Sequence, residues 1–131
     1  MKPIFLIGLA ALLAALPMAS GDTAAIQEMR ADRKSTETVD ETIRYLIDYV
    51  AKSNCTFLRN GDPHVGKEAA AHFQSKYDYF KDKIKTPEDF IQKAATQSML
   101  TGQPYLIKTP DGRTIPCAQW LGKILADHRK R

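Results

Sequence analysis

Between residues 54 and 76 the chain reads NCTFLRNGDPHVGKEAAAHFQSK, which brings Cys55, Arg59, His64, Glu68, His72 and Lys76 into one short span. A thiol, a guanidinium, two imidazoles, a carboxylate and an amine are the groups from which nucleophilic, acid–base, metal and anion-binding sites are built. His64, Glu68, His72 and Lys76 recur every fourth residue. On a helix that spacing keeps them in one sector of about 120°, beside the apolar stripe rather than on it.

Imidazole and carboxylate are ordinary zinc and copper ligands. His64 and His72, however, stand two helical turns apart, about 11 Å, and bonds of about 2 Å to one ion do not span that gap. No metal and no cofactor is therefore expected. Cys55 beside either histidine would make a nucleophile and base only if its thiol were unbridged and its pKa lowered. Ser98, Thr101 and Tyr105 stand without a G-x-S-x-G or S-x-x-K pattern, so no acyl-transfer site is assigned and the set of catalytic residues is empty.

Arg59 is different, because it precedes the Asn60-Gly61 turn and a helix start. A guanidinium there can meet a carboxylate or phosphate together with the free amides of the helix terminus, or it can brace the turn. Tyr105 follows the Gly102-Gln103-Pro104 turn and reads as a rim aromatic. The candidate binding surface is thus Arg59, Asn60, His72, Lys76 and Tyr105.

The elements that must position these residues are readable from periodicity. Val39, Ile43, Leu46, Ile47 and Val50 fall within about 100° of arc, predicting an amphipathic helix over 36–52. Thr56, Phe57 and Leu58 form a short extended piece that ends at Asn60-Gly61, a dipeptide that readily adopts positive φ. A second helix begins between Pro63 and Lys67 and runs to about Lys83, with Ala69, Phe73, Tyr77, Phe80 and Ile84 inward. Thr86-Pro87-Glu88-Asp89 is a helix start, and a third helix follows over 87–96. Residues 105–108 and 113–115 flank Asp111-Gly112 as a hairpin. Pro116 opens a last helix that buries Trp120, Leu121, Ile124 and Leu125. The class is α+β, mostly helical, with about four helices and one short β-hairpin packed on them.

Residues 1–21, MKPIFLIGLAALLAALPMASG, carry one early lysine, an apolar run closed by Pro17 and small residues thereafter. That is the layout of a secretory signal peptide, and the run is shorter than the roughly 20 residues of a membrane span. Cleavage before Asp22 would leave a lead-in over 22–35 and one domain over 36–131, exported to the periplasm, monomeric and without stable membrane insertion. The net charge is +4, with the excess in the second half. Its lysines are scattered and lack interleaved aromatics, which argues against nucleic acid. The only two cysteines, Cys55 and Cys117, are expected to bridge in an oxidising compartment, closing a loop that would contribute about 4 kcal/mol.

Cys55-x-Phe57-x-Arg59-Asn60-Gly61, Glu68-Ala69-Ala70-x-His72-x-x-x-Lys76, Thr86-x-Glu88-x-Phe90-Ile91, Ser98-x-x-Thr101-Gly102-x-Pro104-Tyr105-x-Ile107 and Trp120-Leu121 occur in that order. Together they resemble a family of small exported bacterial proteins of the YfeK type, a domain of unknown function, over about residues 40 to 125. His64 and Phe73 depart from that pattern, where an aromatic and a leucine are usual. The resemblance implies an exported Gram-negative protein and supplies no activity and no catalytic residues. A non-enzymatic binding or accessory module of the cell envelope, with an envelope component or protein as partner, is the expectation. The alternative is a small hydrolase or transferase acting on an envelope substrate, with Glu68 and His72 as acid and base.

Overall fold

The computed structural model describes residues 25, 26 and 36–131. The signal peptide expected over 1–21 and all but two residues of the lead-in lie outside the described residues. Residues Thr38–Arg131 form one unit.

Helix α1 (Val39–Lys52) starts where its first free amides find partners: Thr38 Oγ1 accepts from the Glu41 amide at 3.1 Å, and Glu41 Oε2 accepts from the Thr38 amide at 2.8 Å. This reciprocal box satisfies two orphan donors. The helix buries Thr42, Ile43, Leu46 and Val50, while Val39, at the start of the predicted stripe, is exposed.

Strand β1 (Thr56–Arg59) follows, and Asn60 (φ 54°) and Gly61 (φ 83°) turn the chain tightly. Positive φ at both central residues is the two-residue hairpin geometry that matches strand twist. Residues Asp62–His64 therefore return as β2, with Arg59 opposite Asp62 and Phe57 opposite His64. This second hairpin, where the sequence pointed to a helix start, is the main departure from expectation. A three-residue strand that contains Pro63 carries no alternating apolar signal.

Helix α2 (Gly66–Phe80) continues into a 3-10 turn over Lys81–Lys83. Helix α3 (Pro87–Ala94) is capped as predicted, with Thr86 Oγ1 accepting from the Asp89 amide at 3.1 Å. Strands β3 (Leu106–Lys108) and β4 (Thr114–Pro116) make the expected hairpin, and α4 (Cys117–Arg129) closes the unit. The sheet order is β2-β1-β3-β4, all antiparallel. Each edge strand carries a proline, Pro63 and Pro116, and proline blocks further pairing at an open edge.

Register puts Phe57, Ile107 and Ile115 side by side across the sheet, with His64 next to Phe57 at the β2 edge. Phe57 and Ile107 are buried with Leu46, Phe73, Phe90 and Leu121 in one core. Among the described residues no helix is long and apolar enough to cross a membrane.

The Cys55–Cys117 bridge does not form in this structure: both are free thiols. Register supplies the reason. Cys55 precedes β1, Cys117 follows β4, and β3 lies between those strands. Two strand spacings amount to about 9–10 Å, before the offset along the strands is added, whereas bridged cysteines keep their Cα atoms within about 7 Å. Burial raises the Cys55 thiol above its ordinary value. Burial, with the nearby Cys55 charge second, pushes Cys117 up to about 12. Neither is an activated nucleophile.

Two outcomes follow from this packing. A Cβ built on Gly66 would lie 2.3 Å from the Val50 carbonyl oxygen, so the start of α2 rests directly on the end of α1. Gly66→Ala should cost about 3 kcal/mol or more in denaturant unfolding. Gly122→Ala, inside α4 and with nothing within 4 Å of its Cβ, should gain about 0.5–1 kcal/mol. Equal effects would contradict the close approach. Thiol titration of protein purified without reductant should count two thiols after denaturation, with Cys117 unreactive before it; none after denaturation would restore the bridge.

Candidate functional site

Alternation along β1 turns Arg59 to the same side as the buried Phe57, where it meets α2. On α2, Ala69, Phe73 and Tyr77 face the core, and His72 and Lys76 lie one position to the side. Tyr105 enters just before β3, its amide donating to the Thr96 carbonyl at 2.9 Å and its carbonyl accepting from the Cys117 amide at 2.8 Å. These three segments bring four side chains into one hydrogen-bonded chain.

Arg59 Nη1 lies 2.9 Å from His72 Nδ1. A guanidinium can only donate, so Nδ1 accepts, and the imidazole is neutral with its proton on Nε2. Nε2 donates to Tyr105 Oη at 3.1 Å. Lys76 Nζ donates to the same oxygen at 3.1 Å and to the Gln97 carbonyl at 3.1 Å. Both lone pairs of the Tyr105 oxygen are thereby filled, and its own proton has no acceptor among the described residues.

The electrostatics agree with this proton count. His72 is held below its ordinary pKa, first by burial, then by the charges of Arg59, Lys76 and His64. Lys76 is lowered by burial and then by Arg59. Tyr105 is raised by burial, with Arg59 opposing and Cys117 reinforcing, so it stays a hydroxyl. Among the described residues Arg59 joins no ion pair; its cross-strand neighbour Asp62 is exposed and does not close on it.

Arg59, His72 and Tyr105 line a cleft of about 160 Å³ whose apolar walls include Phe57, Ala69 and Phe73. Glu68 and His64 line it too, joined to each other at 3.0 Å; the Glu68 side chain is 64% exposed, which puts it at the mouth. His64 Nε2 is closed off from solvent and has no hydrogen-bond partner among the described residues.

The structure thus brings Arg59, His72 and Tyr105 together on one wall and corrects the roles of the others. Lys76, placed by helical spacing at the border of the core, is 7% exposed and sits behind Tyr105 as a positioning residue. Tyr105 is no rim aromatic, being 5% exposed. Asn60 lies outside the cleft wall: it accepts from Thr101 Oγ1 at 2.5 Å and donates to Ser98 Oγ at 3.4 Å, pinning the β1–β2 turn to the 98–103 loop. Sequence reasoning missed Gln97, whose contribution is a backbone oxygen with no signature in residue type. It also missed the cleft-lining role of Phe57 and Phe73, which read simply as core.

Glu68 and His72 share the cleft, but acid–base work by the pair would need a free ring nitrogen. Both nitrogens of His72 are committed, to Arg59 and to Tyr105, and Glu68 is held by His64. No three His, Cys, Asp or Glu side chains among the described residues converge to hold a metal ion.

The lowered His72 pKa fixes a pH dependence. The folded state favours the neutral ring, so below the unfolded value of about 6.5 the unfolded chain binds the extra proton and stability falls as pH falls. The melting temperature should fall as pH drops from 7 to 5, and His72→Gln should show a shallower decline over that range. Parallel profiles would remove the assignment.

Over residues 37–129 the chain matches the Family of unknown function (DUF5329). The uncharacterized protein YfeK of Salmonella typhimurium is 44% identical over 54 residues, which are 41% of this chain and 45% of the relative. The match spans less than half of that relative's length. No solved structure matches. The family match takes in every helix and strand of the unit and every residue of the cleft, and by it the chain belongs to the DUF5329 family.

Proposed function

We propose that this protein is a non-enzymatic binding module exported to the periplasm, which captures an envelope component or an envelope protein through the cleft headed by Arg59. The observation that carries the proposal is the state of Arg59: its guanidinium is fixed by His72 at 2.9 Å and has no acidic partner among the described residues. A half-buried cation held in place but left unneutralised is suited to a ligand of opposite charge. Preorganisation of this kind lowers the cost of binding, since the side-chain freedom is already lost before the ligand arrives. The leader-like residues 1–21 support export.

Two measurements test the two halves of this proposal. The chain produced in a Gram-negative host should appear in the periplasmic fraction with a mass that starts at Asp22; a full-length mass in the cytoplasm would overturn export. Immobilised protein should retain an envelope component that Arg59→Gln fails to retain, with the circular dichroism unchanged. Equal retention by both would remove the cleft as the binding surface.

A further inference from the structure

We infer that the group captured is a monocarboxylate with a compact apolar body, an inference that rests on the binding role proposed above. Four features of the cleft select that chemistry.

The first is the guanidinium. With Nη1 held by His72 Nδ1, Arg59 is anchored at the cleft wall, and its remaining N–H groups are left to offer the fork that a planar carboxylate meets edge-on. The second is the Tyr105 hydroxyl. Its oxygen already accepts from His72 and Lys76, so its proton is free for an oxygen of the ligand.

The third is charge. Arg59 is the only arginine or lysine of the cleft lining. Lys76 is sealed behind Tyr105, with the Gln97 carbonyl and the Tyr105 oxygen taking its protons. Glu68 stands exposed at the mouth, where it repels a second negative charge. One cation able to contact the ligand and one anion at the entrance favour a monoanion over a phosphate dianion.

The fourth is size. The cleft measures about 160 Å³, with Phe57, Ala69 and Phe73 among its walls. An apolar cavity of about 150 Å³ accommodates a benzene ring. A ring or a branched aliphatic group of that bulk therefore fits, with its carboxylate at the Arg59 end. A free small acid and the C-terminus of a peptide that ends in an apolar residue both offer this chemistry.

Benzoate is the simplest probe, with benzamide as its uncharged isostere and inorganic phosphate as the competing anion. In NMR titrations of the purified mature chain, benzoate should produce saturable shifts at Arg59, His72 and Tyr105. Benzamide, and benzoate with Arg59→Gln, should each bind at least about 10-fold more weakly, the usual loss for a charge-assisted contact. Tyr105→Phe should weaken benzoate several-fold, and Arg59→Gln serves alone should that buried variant fail to fold.

An acetylated tripeptide ending in a free phenylalanine carboxylate, compared with its amidated form, distinguishes the two sources. Tighter binding than benzoate assigns a chain terminus, and weaker binding assigns a free acid. Benzamide binding as well as benzoate, phosphate binding more tightly than benzoate, or an indifferent Arg59→Gln would each overturn the inference. Arg59-dependent capture from the envelope without binding of benzoate or the peptide acid would overturn the carboxylate and leave the binding role standing. Capture that ignores Arg59 would overturn both.

Discussion

An ammonium group buried without a carboxylate is the constraint on which the cleft depends. Lys76 is 7% exposed and joins no ion pair among the described residues. A charge in that position is tolerated only when oxygens replace its lost water. The Gln97 carbonyl and the Tyr105 hydroxyl do so, and the Tyr105 ring, with Nζ 4.9 Å from its centre, adds an attractive face. Meeting that demand fixes where the chain after α3 must run and how the residue ahead of β3 must point.

The consequences pass outward along a short sequence of donors and acceptors. Lys76 holds the Tyr105 oxygen, Tyr105 accepts from His72, and His72 accepts from Arg59. Each member leaves the next a single compatible role, because ammonium and guanidinium only donate and a neutral imidazole has one donor and one acceptor. Low local polarity strengthens such a chain when it is complete and makes any gap expensive. The same logic denies His72 a free nitrogen for proton transfer.

The two hairpins share the mechanical load. The Asn60-Gly61 turn brings β2 back along β1 and leaves Arg59 at the end of its strand, facing α2. Asn60 then ties that turn to the 98–103 loop through Ser98 and Thr101. Gly66, pressed against the end of α1, lets α2 begin at the place where His72 and Lys76 fall beneath the sheet. A side chain at Gly66 would lift the helix and with it the wall of the cleft.

Residue type and spacing alone determined the helix start at Thr86, the Asn60-Gly61 and Asp111-Gly112 turns, most of the core stripes and the mostly helical α+β class, and placed the start of the first helix at Thr36, three residues ahead of Val39. These are local properties, written in caps, turn dipeptides and a 3.6-residue period. The span 54–76 also nominated Arg59, His72 and Lys76, and the Gly102-Gln103-Pro104 turn nominated Tyr105, because their chemistry is uncommon enough to stand out. Only tertiary structure decided that Lys76 is buried and that Tyr105 faces it, since the two lie 29 residues apart in the chain and the other acceptor, Gln97, is 21 residues from Lys76. Helical spacing gives the direction of a side chain but not what stands opposite it. Cys55 and Cys117 carry the same lesson in reverse: composition made their pairing the natural expectation, and the order of strands, which no local pattern encodes, put β3 between them.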